Sequence, residues 1–360
     1  MDFVYKFPVV RGVQAKREYY IAMIPLKMIS RLFPNDEEYV LPEYRAQRKL
    51  NEKRVPVISK YIVDNRDNYV FSALAASIDG KFIFWPNVEN SDIGVLEVSM
   101  DAHFLINDGQ HRKAAILEAI KEDETLGEET ISIVFYEDKG LSRSQQIFTD
   151  LNKNAVKTSN SIAELYDSRD TLAVITRNAI KENEFLNAYT DKEKDILGKY
   201  SSNLFTLNTF YTANRNILPS GEVKNRKTDE LFLKKYWSVI SKNMVPWNEL
   251  QTKQLSKIDL RENYIATQGI VIQALGRVGR YFYDNPTVDM DQVLASLLEI
   301  NWKRSTRKWK QRAIRENGRI ITSKRAAILI ANEIKKELGI PLTEDEILVE
   351  ERFNKNKSMN

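Results

Sequence analysis

HFLINDGQHRKAAI, residues 103–116, is the stretch that decides how this chain is read. An apolar extended run from His103 to Ile106 enters Asn107-Asp108-Gly109, and a helical pattern begins at Gln110. Gly109 permits a left-handed or close backbone turn. The first N–H groups of a helix lack intrahelical partners and the dipole adds about half a positive charge there, so phosphate is a natural ligand for such an end. Arg112 adds a fork-shaped cation suited to phosphate oxygens, and His111 a donor or a proton carrier near neutral pH. Asp108 could cap the helix or hold a metal beside phosphate. The same residues also read as an ordinary capped helix, with Asp108 as the cap, His111 filling a pocket and Arg112 in a salt bridge.

Outward from this motif, strand and helix signals alternate. Phe3, Tyr5, Phe7 and Val9 alternate as a strand does, residues 43–64 carry helical spacing, and 70–85 read as two strands around the turn Asp79-Gly80. Residues 93–99 and 103–106 are extended, 112–121 form a short helix, and 130–136 (TISIVFY) a strand. Beyond residue 140 helices dominate. A capping box at Ser161–Glu164 opens a helix to about Lys181, residues 261–283 read as one long helix weakened by Gly276 and Gly279, and 214–229 as a loop. A helix from Ser323 to Leu338 ends at Gly339. The expected fold class is α/β (α+β): a first domain over 1–140, a helical domain over 141–345 with a basic segment at 302–325, and a frayed tail over 346–360.

Composition narrows the chemistry. The 360 residues include no cysteine and two histidines, His103 and His111. This removes thiolate nucleophiles, iron–sulfur clusters held by the chain and multi-imidazole metal sites. Asp64, Asp67 and Asp79 have no metal-ligand spacing, and no Walker A, Gly-x-Ser-x-Gly, His-Glu-x-x-His or Rossmann fingerprint occurs. The glycines of GRVGR, around Arg277 and Arg280, suit close backbone approach rather than a phosphate loop. The amino end carries no signal-peptide pattern, and apolar runs such as 326–331 (AAILIA) fall far short of the ~20 residues that span a bilayer, so a soluble cytoplasmic protein is expected.

The net charge of +4 hides an asymmetry. Between Trp302 and Arg325 ten cations (Lys303, Arg304, Arg307, Lys308, Lys310, Arg312, Arg315, Arg319, Lys324 and Arg325) face one acid, Glu316. That segment therefore holds +9, and subtracting it from +4 leaves −5 on the rest. Such a segment suits phosphates of double-stranded DNA, or an acidic protein partner. Trp302 and Trp309 are seven apart and would share one face of a helix, as core residues or as stacking platforms for bases.

Asp108-Gly109-Gln110-His111-Arg112 resembles the signature of DGQHR-domain proteins, a branch of the ParB/sulfiredoxin-like superfamily. Upstream, Gln47-Arg48-Lys49-Leu50-Asn51 with Arg54, Val55, Ile58 and Tyr61 looks like that family's first helix. Gln146-Ile147-Phe148-Thr149-Asp150-Leu151-Asn152 looks like its second block. Ile300-Asn301-Trp302 through Trp309, and Gly318-Arg319-Ile320, resemble the C-terminal part of the DndB family, associated with DNA phosphorothioate modification. In sulfiredoxin-like proteins the comparable Gly-Cys-His-Arg holds nucleotide phosphates around a cysteine nucleophile. Here Gln110 stands in the Cys position, so the resemblance implies the cradle and not the sulfur chemistry. It also implies binding of ATP or another nucleoside triphosphate with Mg²⁺ at Asp108, Gly109, Gln110, His111, Arg112 and Asn152. Leu151 replaces the acid of a ParB-style metal site, which argues against a metal held by the protein.

The resemblance implies first a repressor of the operon encoding the phosphorothioation machinery, bound to its promoter. A nucleoside triphosphatase or nucleotide-gated switch, with Asp108 and His111 as candidate catalytic groups, is the enzymatic alternative. A scaffold docking on other phosphorothioation proteins is the third. Repressors are often dimers, which admits a homo-oligomer, although no heptad seam is present.

Overall fold

Alternation along the first strands builds a sheet that buries one of its faces against helices. The computed structural model describes residues 3–34, 50–87, 91–138, 141–153, 158–198 and 200–358. The chain divides into two compact units, 1–156 and 157–360. The first contains β1 Val4–Gln14, β2 Arg17–Pro25, α1 Ile29–Leu32, α2 Val55–Asp64, β3 Leu74–Asp79, β4 Phe82–Pro86, β5 Ile93–Ser99, β6 His103–Asp108, α3 Gln110–Glu122, β7 Thr130–Glu137 and α4 Leu141–Lys153. The strands form one mixed sheet in the order β4-β5-β1-β2-β7-β3-β6, with only β3 and β7 parallel. Phe7, Val9, Tyr20, Ala22, Ile24, Leu96, Ile133 and Phe135 point to one side and pack with Ile29, Leu32, Ile62, Ile116 and Ala119 of α1–α3.

The hairpin expected around Asp79-Gly80 does not form. β3 lies between β7 and β6, whereas β4 pairs with β5 at the sheet's edge. Leu74 to Ile78 are all buried, so β3 needs a neighbour on either side and covers on both faces. A local turn signal cannot compete with that demand. The expected helix over 43–64 is described only from residue 50, with α2 beginning at Val55; residues 35–49 lie outside the described residues.

The second unit contains α5 Asn160–Tyr166, α6 Thr171–Glu182, α7 Glu184–Tyr189, a two-stranded pair β8 Thr190–Asp191 and β9 Phe205–Thr206, α8 Leu207–Ile217, α9 Arg226–Asn243, α10 Val245–Gln251, α11 Lys257–Asn263, α12 Gly269–Asp284, α13 Met290–Leu294, α14 Lys324–Glu337 and α15 Glu344–Ser358. This is the expected order of a sheet-bearing region followed by a helical one. A Cβ on Gly276 would meet the Ala213 carbonyl at 2.4 Å, so this glycine lets α12 lie directly on α8. No helix among the described residues is long and apolar enough to cross a membrane.

Four expectations are corrected here. The cap of α5 is Ser159, which accepts from the Ile162 N–H, while Ser161 and Glu164 are buried. The helix then stops at Tyr166, because Asp167 accepts from the N–H groups of Arg169 and Asp170, and Asp170 caps a new helix. The pattern over 261–283 is two helices; the Ile265 N–H is bonded to the Trp302 carbonyl at 2.9 Å, which takes 264–268 out of helical geometry. Within 214–229, α8 runs to Ile217 and α9 starts at Arg226, confining the loop to 218–225. Finally, the expected tail is helical to Ser358, with Glu350 and Phe353 buried.

Glu164 is 9 % exposed; its Oε1 accepts from Asn208 at 2.6 Å, and its Oε2 has no hydrogen bond among the described residues. Burial, reinforced by Asp195 and Asp170 against the Asn208 bond, pushes its carboxyl from 4.5 up to about 7. A carboxyl raised by folding stabilises the fold when protonated, and that contribution is lost as pH rises through the folded value. Glu164→Gln is therefore expected to exceed the parent in stability at pH 8 by about 1–2 kcal/mol. Urea denaturation at pH 8 and pH 4.5 checks this; the gain should shrink at the lower pH, and an equal offset at both would contradict it.

Candidate functional site

The strand–glycine–helix junction forms as the motif predicts. Gly109 stands at the N-cap of α3 with φ 106°, a conformation that L side chains rarely adopt. Space demands glycine as well, since a Cβ would lie 2.4 Å from Leu74 Cδ2. The junction borders a hollow of about 780 Å³. One wall is Arg54, Val57, Ile58 and Tyr61 of α2 and its approach, another is Val70, Phe71 and Ser72, and the third is residues 108–112 with Phe148 and Thr149 of α4. A buried polar row seats α4: Ser77 donates to Asn107 Oδ1 at 2.8 Å, and the Ser144 hydroxyl donates to Ser77 Oγ at 3.3 Å.

The structure gives the motif side chains internal partners. Arg112 Nη2 donates to Asp108 Oδ2 at 2.6 Å, and Nη1 to the carbonyls of Ser72 and Ala73, both at 2.7 Å, and to Ser72 Oγ. Its side chain is 18 % exposed. The guanidinium thus clamps the strand lead-in to α3. Asp108 makes no capping bond and instead orients Arg112. His111 Nε2 accepts from the Asn51 N–H at 3.0 Å, a geometry that puts the ring proton on Nδ1 and ties the lead-in of α2 to α3. Gln110 lines the hollow. Asn152 lies on α4, but its side chain is outside the described residues, as are Gln47, Arg48 and Lys49. Among the described residues no group of three or more His, Asp or Glu could hold a metal. The sequence pattern missed Ser72 and Ala73, because an acceptor carbonyl forty residues from its arginine leaves no local signal.

In the second unit the basic segment is not the helix that the tryptophan spacing suggested. Residues 301–323 are irregular apart from a 3₁₀ turn at Arg307–Trp309. Both tryptophans turn inward, 1 % and 0 % exposed, with rings stacked at 5.7 Å. Trp309 Nε1 donates to the Asn301 carbonyl at 2.8 Å.

Three of the ten cations have hydrogen-bond or ion-pair partners within the chain. Arg312, 7 % exposed, donates to both carboxylate oxygens of Glu350, pairs with Glu333 at 3.3 Å and lies 4.4 Å from the Phe353 ring centre. This corrects its expected place on a DNA surface. Although burial opposes it, hydrogen bonding from Arg312 and Lys336 holds the Glu350 carboxyl down to about 2. Arg304 donates to the carbonyls of Arg261 at 2.6 Å and Tyr264 at 3.2 Å, closing the carboxyl end of α11, and Lys308 pairs with Glu337. The other seven, Lys303, Arg307, Lys310, Arg315, Arg319, Lys324 and Arg325, are exposed, and none forms an ion pair among the described residues. Arg315 and Arg319 are joined across a turn by a 2.9 Å backbone bond, and Lys324 and Arg325 open α14.

The first unit thus holds a strand–glycine–helix hollow, and the second a segment with seven exposed cations. The family model for DndB, described as DNA-sulfur modification-associated, matches residues 7–341, so the chain belongs to that family. Neither the curated proteins nor the solved structures yielded a match.

Two outcomes follow from these geometries. Glu350→Ala is expected to destabilise the second unit by about 3 kcal/mol, since it takes the two-pronged partner from buried Arg312 and leaves it only Glu333. Arg112→Ala is expected to lower stability by about 2 kcal/mol with no ligand present, through the loss of charge-assisted bonds to Asp108 and to Ser72 and Ala73. Thermal and urea melts of the two variants measure both; an unchanged melt would show that the clamp in question adds nothing to stability.

Proposed function

We infer that this protein is a DNA-binding regulator of the phosphorothioate modification operon, holding duplex through its basic segment. The observation that carries the reading is the set of seven exposed cations without an ion-pair partner among the described residues, in a chain whose remainder is acidic. Protein surfaces usually mix signs, and unneutralised Lys and Arg gain by releasing the counterions condensed on phosphate. The rigid floor under them supports the same reading. Trp302, Trp309 and the Arg312–Glu350 pair fix the backbone, so less ordering entropy is lost on binding. Occupying an operator requires no catalytic residue, in keeping with a chain that lacks cysteine.

The hollow beside Gly109 favours a second role for the same protein, binding a nucleoside triphosphate as a signal. What supports it is the amino end of α3 opening on a cavity with aromatic and aliphatic walls. Arg112 would serve by holding the junction in shape, and Arg54, exposed on the opposite wall, would meet phosphate. Mg²⁺ would arrive with the nucleotide, because no acid cluster among the described residues is built to hold it. The scaffold alternative has no comparable observation.

The test of the first role compares the operon's own promoter with a scrambled duplex over a salt series. Specific regulation requires tighter binding to the promoter; equal affinity rejects it. Replacing Arg315, Arg319, Lys324 and Arg325 by alanine is expected to flatten the slope of log K against log salt by about one for each phosphate left unneutralised. For the second role, titration of labelled ATP, GTP and CTP should give binding that weakens in Arg54→Ala; isotherms without saturation would exclude it.

A further inference from the structure

The sheet of the first unit has two faces, and among the described residues only one is covered along its full width. On the second face α4 packs on β6, and Ser77 and Asn107 are buried beneath it. The other five strands, β4, β5, β1, β2 and β7, present apolar side chains there. Ile93, Val10, Ile21 and Val134 form one cross-strand row, and Trp85, Val95 and Pro8 form another. Ile83, Trp85, Ile93, Val10, Ile21 and Met23 are 38–57 % exposed. Together these six leave on the order of 600 Å² of side chain in water, the upper end of a monomer's largest patch. With their half-buried row neighbours the face approaches the roughly 800 Å² per partner of a standard interface. The charges nearest it cancel: Lys6 pairs with Glu97 at 2.7 Å, and Glu97 also accepts from Trp85 Nε1 at 3.0 Å.

We propose that this face is the interface of a two-fold homodimer, in which the sheets of two copies pack against each other. An apolar surface whose nearest charges cancel offers little to nucleic acid or to a charged peptide, whereas an identical surface matches it in polarity, flatness and extent. A two-fold axis pairs such a patch with itself and leaves no unsatisfied copy. Twisted sheets stack face to face at about 10 Å with strands within about 30° of parallel, so Val10 and Ile21 at the centre would interdigitate with their counterparts. The dimer doubles the number of cationic segments per particle, whatever those segments bind.

Sedimentation of the full chain from about 1 to 100 µM tests the proposal, since mass action governs the assembly. The expected result is twice the 41.8 kDa of one chain. Ile93→Lys and Met23→Lys, both at exposed positions, should each return the monomer mass with an unchanged far-ultraviolet circular dichroism spectrum. The chain has no cysteine, so Val10→Cys is a unique probe. A short bis-maleimide should cross-link that variant into dimers, while Ile258→Cys, 62 % exposed in the second unit, should not cross-link. Monomer mass throughout would overturn the proposal, as would a dimer that both lysine variants leave intact. A monomeric Val10→Cys variant that resists maleimide would also overturn it, by showing that something within the chain covers the face.

Discussion

A buried guanidinium sits in the middle of the most cationic stretch of this protein, and the shape of that stretch depends on it. Arg312 faces Glu350 and Glu333 and lies over Phe353, binding segment 302–323 to α14 and α15. Beside it the stacked Trp302 and Trp309 pull the same segment onto the helical core. Removing either partner of a buried pair strands the other in a low-dielectric interior, so the arrangement holds as a unit. Between these anchors the segment is irregular rather than helical, and seven of its cations are exposed.

The first unit uses the same device at smaller scale. Arg112, which by its type and place suits a ligand's phosphate, is held by Asp108 and by two carbonyls forty residues upstream. The clamp fixes the lead-in of β3 against α3, and with it the wall of the hollow next to Gly109. A polar residue at a candidate site can thus be required for the site's shape without touching what the site binds. In both units an arginine that the sequence offers to a ligand is held by partners within the chain, and only tertiary geometry reveals it.

Local signals in the chain determined a good deal. Alternation in 3–10 and 130–136, the glycine between Asp108 and Gln110, and the Ser323 and Gly339 boundaries of α14 depend on one or two residues and their immediate neighbours, and all reappear in the fold. The charge excess between Trp302 and Arg325 was equally plain, because charge is a property of composition. The order of a sheet-bearing region before a helical one followed from the change of period.

Partners distant along the chain were decided only by tertiary structure. Asp79-Gly80 promised a hairpin, yet β3 joined β6 and β7 because burial on both faces outweighs a turn preference. Ser161 and Glu164 have the spacing of a cap, yet Ser161 donates to Asp195 and Glu164 accepts from Asn208, each tens of residues away. Which arginines are spent inside, and which face of the sheet is buried, follow from what packs against them. Propensity acts over three or four residues, whereas burial of a charge or an apolar row is settled by the whole molecule, and at these sites the second is worth more free energy than the first.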